Sequence, residues 1–181
     1  MNFKDKLAKF KSKLDNLDDF SNQIEDIAKL VKYCLEKNRV YIIGNGGSAA
    51  DSQHFAAEII VRFKKNRSPL PAIALTTDSS ILTAISNDYS FDEVFSRQLK
   101  GLLKENDILF SFSTSGESKN ILNAVNYANS IDATTISLTG NSKNTLSEIS
   151  KNCISCPSNE TDEIQTMHQI IYHYICEKIE M

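Results

Sequence analysis

A cluster of hydroxyl side chains around one glycine follows an apolar run near the middle of the chain. Residues 110–118 read Phe-Ser-Phe-Ser-Thr-Ser-Gly-Glu-Ser. A strand that ends in such a loop and continues as a helix presents hydroxyls and free N–H groups at the positive end of the helix dipole. The loop contains no lysine and so differs from the nucleotide-binding loop G-x-x-x-x-G-K-[ST]. We therefore expect a small phosphorylated metabolite as the ligand, with Glu117 pointing away from the phosphate.

A second loop, rich in glycine, follows the first predicted strand at Gly44-Asn45-Gly46-Gly47-Ser48-Ala49. It satisfies the dinucleotide fingerprint G-x-G-x-x-A, but that fold also needs an acidic residue about 20 positions later, at the end of the second strand. Asp78 lies too far along the chain and Glu58 comes too early. The glycines are better explained by a backbone that approaches a ligand closely, with Asn45 and Ser48 as hydrogen-bonding side chains.

Titratable side chains recur at helical spacing on two predicted helices. His54 and Glu58 are four residues apart and share one helix face. On the last helix, polar residues interrupt the core pattern every four residues. Because buried polar groups cost free energy unless they are satisfied or used, these residues are candidates for a functional role. A carboxylate and an imidazole on opposite sides of a sugar phosphate suit proton abstraction next to a carbonyl and proton return. The polar positions of the last helix are Gln165, Gln169 and His173, and His168 either joins them or lines the same stripe.

Two further motifs have structural explanations. Asn87-Asp88 is a polar pair, and Asn and Asp both favour turns by themselves. The C-x-x-C motif at Cys153 and Cys156 could indicate redox chemistry or half of a zinc site. No second such motif accompanies it, and residues i and i+3 of a strand point to opposite faces, which favours a structural role. The other cysteines, Cys34 and Cys176, lie in helical patterns and are predicted to be core residues.

Strand-like and helix-like segments alternate along the chain, which predicts a parallel sheet covered by helices on both faces. We predict one α/β/α domain over residues 1–181, with a five-stranded parallel sheet and an N-terminal helical extension over 1–37. That extension has a predicted break near 18–21. Both the extension and the last helix would bury well against copies of themselves, so we expect an oligomer. The predicted strands are Val40–Ile43, Ala72–Thr76, Asp107–Phe112, Thr134–Leu138 and Cys153–Cys156, and the later helices are 49–64, 79–100, 118–130, 142–149 and 161–178.

The charge and hydropathy of the chain exclude several classes of partner. The 20 basic and 23 acidic residues give a net charge of −3, which offers no field for nucleic acid or an anionic membrane surface. No apolar run approaches the roughly 18–20 residues of a membrane span. The N-terminus also lacks the apolar core of a signal peptide, so we expect a cytoplasmic protein.

Taken in order, these loops resemble those of the sugar-isomerase (SIS) domain family and, within it, the bacterial phosphoheptose isomerases. The resemblance covers residues 20–178 and is carried by the two ligand loops, His54-Phe55-Ala56-Ala57-Glu58, the segment 86–89, Ile164-Gln165-x-x-His168 and His173. It implies an aldose–ketose isomerase that converts sedoheptulose 7-phosphate to D-glycero-D-manno-heptose 7-phosphate for lipopolysaccharide or capsule. The sequence departs from the family at Glu163, where an arginine is usual.

The same resemblance implies roles for individual residues. Glu58 would be the base that moves a proton between C1 and C2 through an enediol, with His173 as its acid/base partner. One zinc ion per subunit would be held by His54, Glu58, Gln165 and His173, in a homotetramer whose sites lie at subunit interfaces. Ser113, Thr114, Ser115 and Ser118 would bind the phosphate, while the rest of the sugar would contact Asn45, Gly46, Gly47, Ser48, Asn87, Asp88 and Gln165.

Two other functions are compatible with the phosphate loop. One is a non-catalytic SIS module, either a regulator that senses sugar phosphates or a relative of the protein that binds the replication initiator. Such a module needs neither Glu58 nor His173, so the presence of both favours an enzyme. The other is an isomerase of a different sugar phosphate.

Overall fold

A computed structural model describes residues 2–141 and 143–181 of the chain. Its centre is a five-stranded sheet in which every neighbouring pair is parallel, with strand order β2-β1-β3-β4-β5. All five predicted strands are present, with ends within two residues of the predicted ones. Their bounds are β1 Val40–Gly44, β2 Ala72–Ala74, β3 Ile108–Ser113, β4 Thr134–Thr139 and β5 Asn152–Ser155.

Helices connect the strands and cover both faces of the sheet, which confirms the predicted α/β class and the N-terminal helical segment. Short 3₁₀ turns at Asn16–Phe20 and Phe91–Glu93 separate some of them. The helices are α1 Phe3–Asp15, α2 Ser21–Cys34, α3 Gly47–Ile60, α4 Ser79–Asp88, α5 Ser96–Leu102, α6 Lys119–Ser130, α7 Thr145–Ile149 and α8 Thr161–Ile179.

Strand β1, which lies between β2 and β3, shows why helices are needed on both faces. Side chains of a strand alternate between the two faces of its sheet. Val40 and Ile42 are buried in one core with α2, α3 and α8, while Tyr41 and Ile43 are buried in a second core with α5 and α6. The apolar run that predicted this strand is therefore continuous because both faces of the strand are covered.

The predicted helix over 79–100 is wrong as a single element. The backbone of Tyr89 leaves the helical region at φ −128° and ψ −90°. The Ser90 hydroxyl then accepts a hydrogen bond from Asp92 N and starts the 3₁₀ turn, after which α5 begins at Ser96. Local capping by a serine thus competes with a continuous helical pattern.

Two of the other predicted helix ends differ from the observed ones by three or four residues. The start predicted at 142 lies outside the described residues, and α7 begins at Thr145, where Asn144 Oδ1 accepts from Ser147 N. Helix α3 ends at Ile60 rather than 64, because the amides of residues 63 to 65 bind a carboxylate instead of helix carbonyls. Among the described residues, no helix has both the length and the apolar character needed to cross a membrane.

That carboxylate belongs to Glu180, which follows α8 and is only 3% exposed. It accepts hydrogen bonds from the backbone N–H groups of Phe63, Lys64 and Lys65 at 2.7–2.8 Å. Arg67 Nε lies 3.3 Å from Glu180 Oε1, and the Arg67 guanidinium also donates to the Glu58 carbonyl at 2.9 Å. The end of the last helix therefore fixes the segment that follows α3, the helix that carries Glu58 in its last turn.

We predict that Glu180→Gln lowers the free energy of unfolding by about 2 kcal/mol at neutral pH, because charge-assisted hydrogen bonds are lost. Burial alone would raise the pKa of Glu180, but the three N–H groups and Arg67 outweigh it and lower the pKa below 4.5. The stabilisation is therefore complete above pH 4.5 and disappears as the pH falls through the lowered value.

Urea unfolding at pH 7 and at about pH 4 checks this prediction. The difference between the two proteins should shrink at the lower pH. Glu177→Gln is the matched control, since Glu177 pairs with Lys64 at the exposed surface and such pairs contribute about 0–1 kcal/mol. Equal stability of Glu180→Gln and the control at pH 7 would contradict the argument.

Candidate active site

The loops after β1 and β3 open into one cavity of about 300 Å³. These two strands pair directly, with Gly44 opposite Phe112, although β2 lies between them in sequence. In open α/β sheets, ligands bind at the carboxyl ends of the strands where the strand order reverses, and the order 2-1-3-4-5 reverses between β1 and β3. The cavity is lined by Asn45, Gly46, Gly47, Ser48, Phe112, Ser113, Thr114, Ser115, Ser118, Thr161 and Gln165.

The glycines after β1 allow the backbone to turn and α8 to approach it. Gly46 has φ +55° and ψ −121° and stands immediately before α3. A side chain on Gly47 would collide with the Gln165 amide, so the glycine leaves room for Gln165 against the loop. We predicted that the backbone here approaches a ligand closely. In the structure the group that it approaches is the Gln165 side chain.

The loop after β3 combines hydroxyls with a helix N-terminus. Gly116 has φ +66°, and its N–H donates to Ser113 Oγ at 3.1 Å, which folds the loop back on the end of the strand. Ser118 precedes α6, and its hydroxyl makes no capping bond to that helix. Hydroxyls and the positive end of a 12-residue helix form a favourable environment for an anion. Phosphate binding by this loop stays a prediction.

Glu117 takes no part in the cavity lining. Its carboxylate accepts from Thr145 N at 2.7 Å and from Thr145 Oγ1 at 2.9 Å, at the start of α7. These bonds lower the pKa of Glu117, so the side chain carries its negative charge while held by Thr145. Glu117 is therefore directed at Thr145 and not into the cavity, and its orientation relative to a bound phosphate stays a prediction.

A reciprocal amide pair joins the two loops, and the sequence did not predict it. Asn45 Nδ2 donates to Asn120 Oδ1 and Asn120 Nδ2 donates to Asn45 Oδ1, both at 2.9 Å. Asn120 Oδ1 also accepts from Ile121 N in the first turn of α6. The pair therefore fixes the β1 loop to the helix that begins after the hydroxyl loop.

His54, Glu58 and His173 come together where α3 crosses α8. His54 Nε2 lies 3.1 Å from Glu58 Oε1 and 3.5 Å from His173 Nε2, and one ligand atom from each residue lies within 4.8 Å of the others. The His173 ring stacks on Phe63 at 5.5 Å. Burial and the neighbouring His54 lower the pKa of His173, against the opposing effect of Glu58, so this imidazole is neutral at neutral pH.

This donor set fits zinc. Two imidazoles and one carboxylate are typical ligands of a zinc site that keeps a position open for other ligands. The fourth predicted ligand, Gln165, contacts Gly47 in the cavity from two turns earlier on α8. Its coordination of a metal stays a prediction.

Other candidate residues lie elsewhere. Asn87 and Asp88 end α4, are exposed and bond to each other at 2.9 Å, and neither lines the cavity. Their contact with a sugar stays a prediction. His168 is buried in the core, with Nε2 3.4 Å from the Thr139 carbonyl, and burial lowers its pKa to about 4. It belongs to the core and does not join the cluster that contains His173.

The C-x-x-C motif has the features of a structural element. Cys153 is partly buried in β5 and Cys156 is fully buried. Burial raises the pKa of both thiols, that of Cys156 to about 12, and both are free. Protonated thiols are poor nucleophiles and poor metal ligands.

Comparison with known proteins agrees with this arrangement. The SIS domain family matches residues 5–140. Phosphoheptose isomerase of Aquifex aeolicus is 45% identical over 162 residues, which cover 89% of this chain and 85% of that protein. The chain belongs to the phosphoheptose isomerase family.

Other members of the family support this assignment. Phosphoheptose isomerase of Akkermansia muciniphila is 43% identical over 92% of this chain and 90% of its own length. The solved structure of phosphoheptose isomerase GmhA from Neisseria gonorrhoeae superposes with a TM-score of 0.89 at 37% identity, covering 96% of this chain and 94% of that one. The similarity thus extends through the cavity loops and through both helices that carry the His54, Glu58 and His173 cluster.

We predict that Asn45→Ala destabilises the fold by about 1–3 kcal/mol, because it leaves the buried Asn120 amide without its partner. The double variant with Asn120→Ala should lose less than the sum of the two single changes, since neither amide is then left unpaired. Urea unfolding of the four proteins gives the coupling energy. Additive effects would show that the amide pair does not hold the loops together.

Proposed function

We propose that this protein is an aldose–ketose isomerase that converts sedoheptulose 7-phosphate to D-glycero-D-manno-heptose 7-phosphate, for heptose incorporated into lipopolysaccharide or capsule. The observation that carries the proposal is the position of Glu58 and His173 on the two helices whose first turns line the cavity. A ligand bound by the hydroxyl loop can extend along α3 and α8 toward these groups. A ketose phosphate has its anionic end and its reacting carbonyl at opposite ends of the chain, which suits such a site.

The reaction needs one proton to move between neighbouring carbons. Glu58 would take the proton from C1 of the ketose, which gives an enediol, and return it to C2. The neutral imidazole of His173 would move the hydroxyl proton from O1 to O2, so that the carbonyl ends at C1. Ser113, Thr114, Ser115 and Ser118 would hold the phosphate, and Asn45 and Ser48 would fix the sugar hydroxyls.

We further propose one zinc ion per subunit, held by His54, Glu58, Gln165 and His173. This ion would compete for the two groups, Glu58 and His173, that act as base and acid. When bound, zinc polarises the substrate carbonyl and stabilises the negative charge of the enediolate. The support is the donor set of two imidazoles and one carboxylate within 4.8 Å of one another.

The decisive experiment incubates the protein with sedoheptulose 7-phosphate and follows aldose formation. We expect Glu58→Gln and His173→Ala each to lower kcat by about 10²–10⁴-fold, the usual contribution of a general acid or base. Glu117→Gln is the matched control, since Glu117 binds Thr145 outside the cavity, and it should turn over like the unmodified protein.

Each outcome separates the competing functions. Absence of turnover by the unmodified protein with or without zinc, together with binding of the sugar phosphate, would favour the non-catalytic regulator. Turnover that survives both substitutions would mean that the acid/base roles are assigned to the wrong residues. Faster turnover of a different ketose phosphate would identify another substrate for the same chemistry.

We also propose that the enzyme is a homotetramer of the cytoplasm, where sugar phosphates are made, with sites at subunit interfaces. Helix α1 buries none of its residues in the single chain, and Phe3 is 80% exposed. An apolar groove of about 410 Å³ lies between the N-terminal segment and α8, lined in part by Leu14, Ile24 and Ile170. Exposed apolar surface of this kind is typical of protein interfaces.

Light scattering on a sizing column should give four times the chain mass of 20.3 kDa. Replacing Phe3 and Leu7 together by Asp should lower that mass, because charges would be buried in the interface. Lys9→Glu, on the exposed surface of the same helix, is the control and should keep the assembly intact. A single-chain mass for the unmodified protein would rule out the tetramer.

A further inference from the structure

Tyr172 lies directly behind the cluster formed by His54, Glu58 and His173. Its side chain is completely buried in α8. The ring stacks on Phe55 at 5.3 Å and meets Phe112 edge-on at 5.9 Å. Such aromatic packing leaves the phenol a single well-defined position.

The hydroxyl of this fixed ring contacts the imidazole of His54. Tyr172 Oη lies 2.9 Å from His54 Nδ1. The other ring nitrogen, Nε2, faces Glu58 Oε1 at 3.1 Å and His173 Nε2 at 3.5 Å. The bond to Nδ1 thus determines which nitrogen of His54 is presented to the cluster.

A phenolic hydroxyl can keep this bond in either tautomer of the histidine. It donates to an unprotonated Nδ1 and accepts from a protonated one. When Nε2 binds a metal, the ring proton is on Nδ1, and a histidine ligand almost always donates that proton to a partner. Among the described residues, Tyr172 is the group that contacts His54 Nδ1 at hydrogen-bond distance.

We propose that Tyr172 is a positioning residue that holds His54 with Nε2 directed at the site shared with Glu58 and His173. The proposal rests on the zinc site of the proposed function. Tyr172 touches neither a substrate nor the metal and acts through His54. Without the hydroxyl, the imidazole is free to rotate about its side-chain bonds, and Nδ1 loses its partner.

The test compares Tyr172→Phe with Tyr41→Phe. Both substitutions remove one buried hydroxyl and keep the ring, and Tyr41 lies in the core on the other face of the sheet, where its hydroxyl donates to the Leu102 carbonyl at 3.1 Å. Zinc affinity is measured on the metal-stripped protein by competition with a chromogenic chelator. We expect Tyr172→Phe to weaken zinc binding by about 10–100-fold and Tyr41→Phe to leave it unchanged.

A second readout needs no metal and no turnover. Correlation of the ring nitrogens and carbon-bound protons of His54 by NMR in the metal-free protein reports the tautomer and its hydrogen bonding. Tyr172→Phe should change this pattern for His54, while Tyr41→Phe should not. Unchanged zinc affinity and unchanged His54 signals in Tyr172→Phe would overturn the proposal.

Failure of the proposed function gives a different result. If the unmodified protein neither binds zinc nor isomerises the ketose phosphate, the function is wrong, and the NMR comparison still decides whether Tyr172 orients His54. If the unmodified protein does both, the ratio of zinc affinities decides the role of Tyr172. Phenylalanine keeps the packing against Phe55 and Phe112, so the variant is expected to fold, and its thermal unfolding verifies this.

Discussion

Strands β1 and β3 lie side by side, with Gly44 opposite Phe112, although β2 and the three helices α3, α4 and α5 separate them in the chain. Because the connections leave these strands toward opposite faces of the sheet, a cavity opens at their carboxyl ends, which the start of α8 also lines. The glycine loop and the hydroxyl loop meet in that space. The Asn45–Asn120 amide pair then joins the loop after β1 to the first turn of α6, which follows the hydroxyl loop.

The cluster of His54, Glu58 and His173 depends on a second contact, between α3 and α8. These helices share an aromatic core in which Phe55 stacks on Tyr172 and meets Phe110 edge-on at 5.2 Å. Since both helices begin at the cavity, groups two or more turns along each of them lie side by side. One packed interface therefore fixes both the distance between His54 and His173 and their position relative to the hydroxyl loop.

The sequence predicted most of this arrangement through local patterns. Alternating apolar runs and helical stripes placed the strands, and the spacing of His54 and Glu58 placed both on one face of α3. The sequence did not predict specific contacts between distant segments. Nothing in the chain pairs Asn45 with Asn120, and the position of Tyr172 in an apolar helix pattern indicates core packing rather than a bond to His54. The break after Asp88 was also missed, because a serine cap there outweighs the helical periodicity.

Two acidic residues near the hydroxyl loop are each held by other groups of the protein. Glu117 binds Thr145, and Glu163 is buried where Lys13 and the Ser158 hydroxyl both bond to it. Burial opposes ionisation of Glu163, but Lys13 and Ser158 outweigh it and lower its pKa, so the charge persists in a paired state. The Lys13 cation offsets the charge of Glu163, whereas the neutral donors of Thr145 hold the Glu117 carboxylate outside the cavity lining. An anion bound at the loop, as we predict, would therefore meet the hydroxyls and the positive end of α6 rather than either carboxylate.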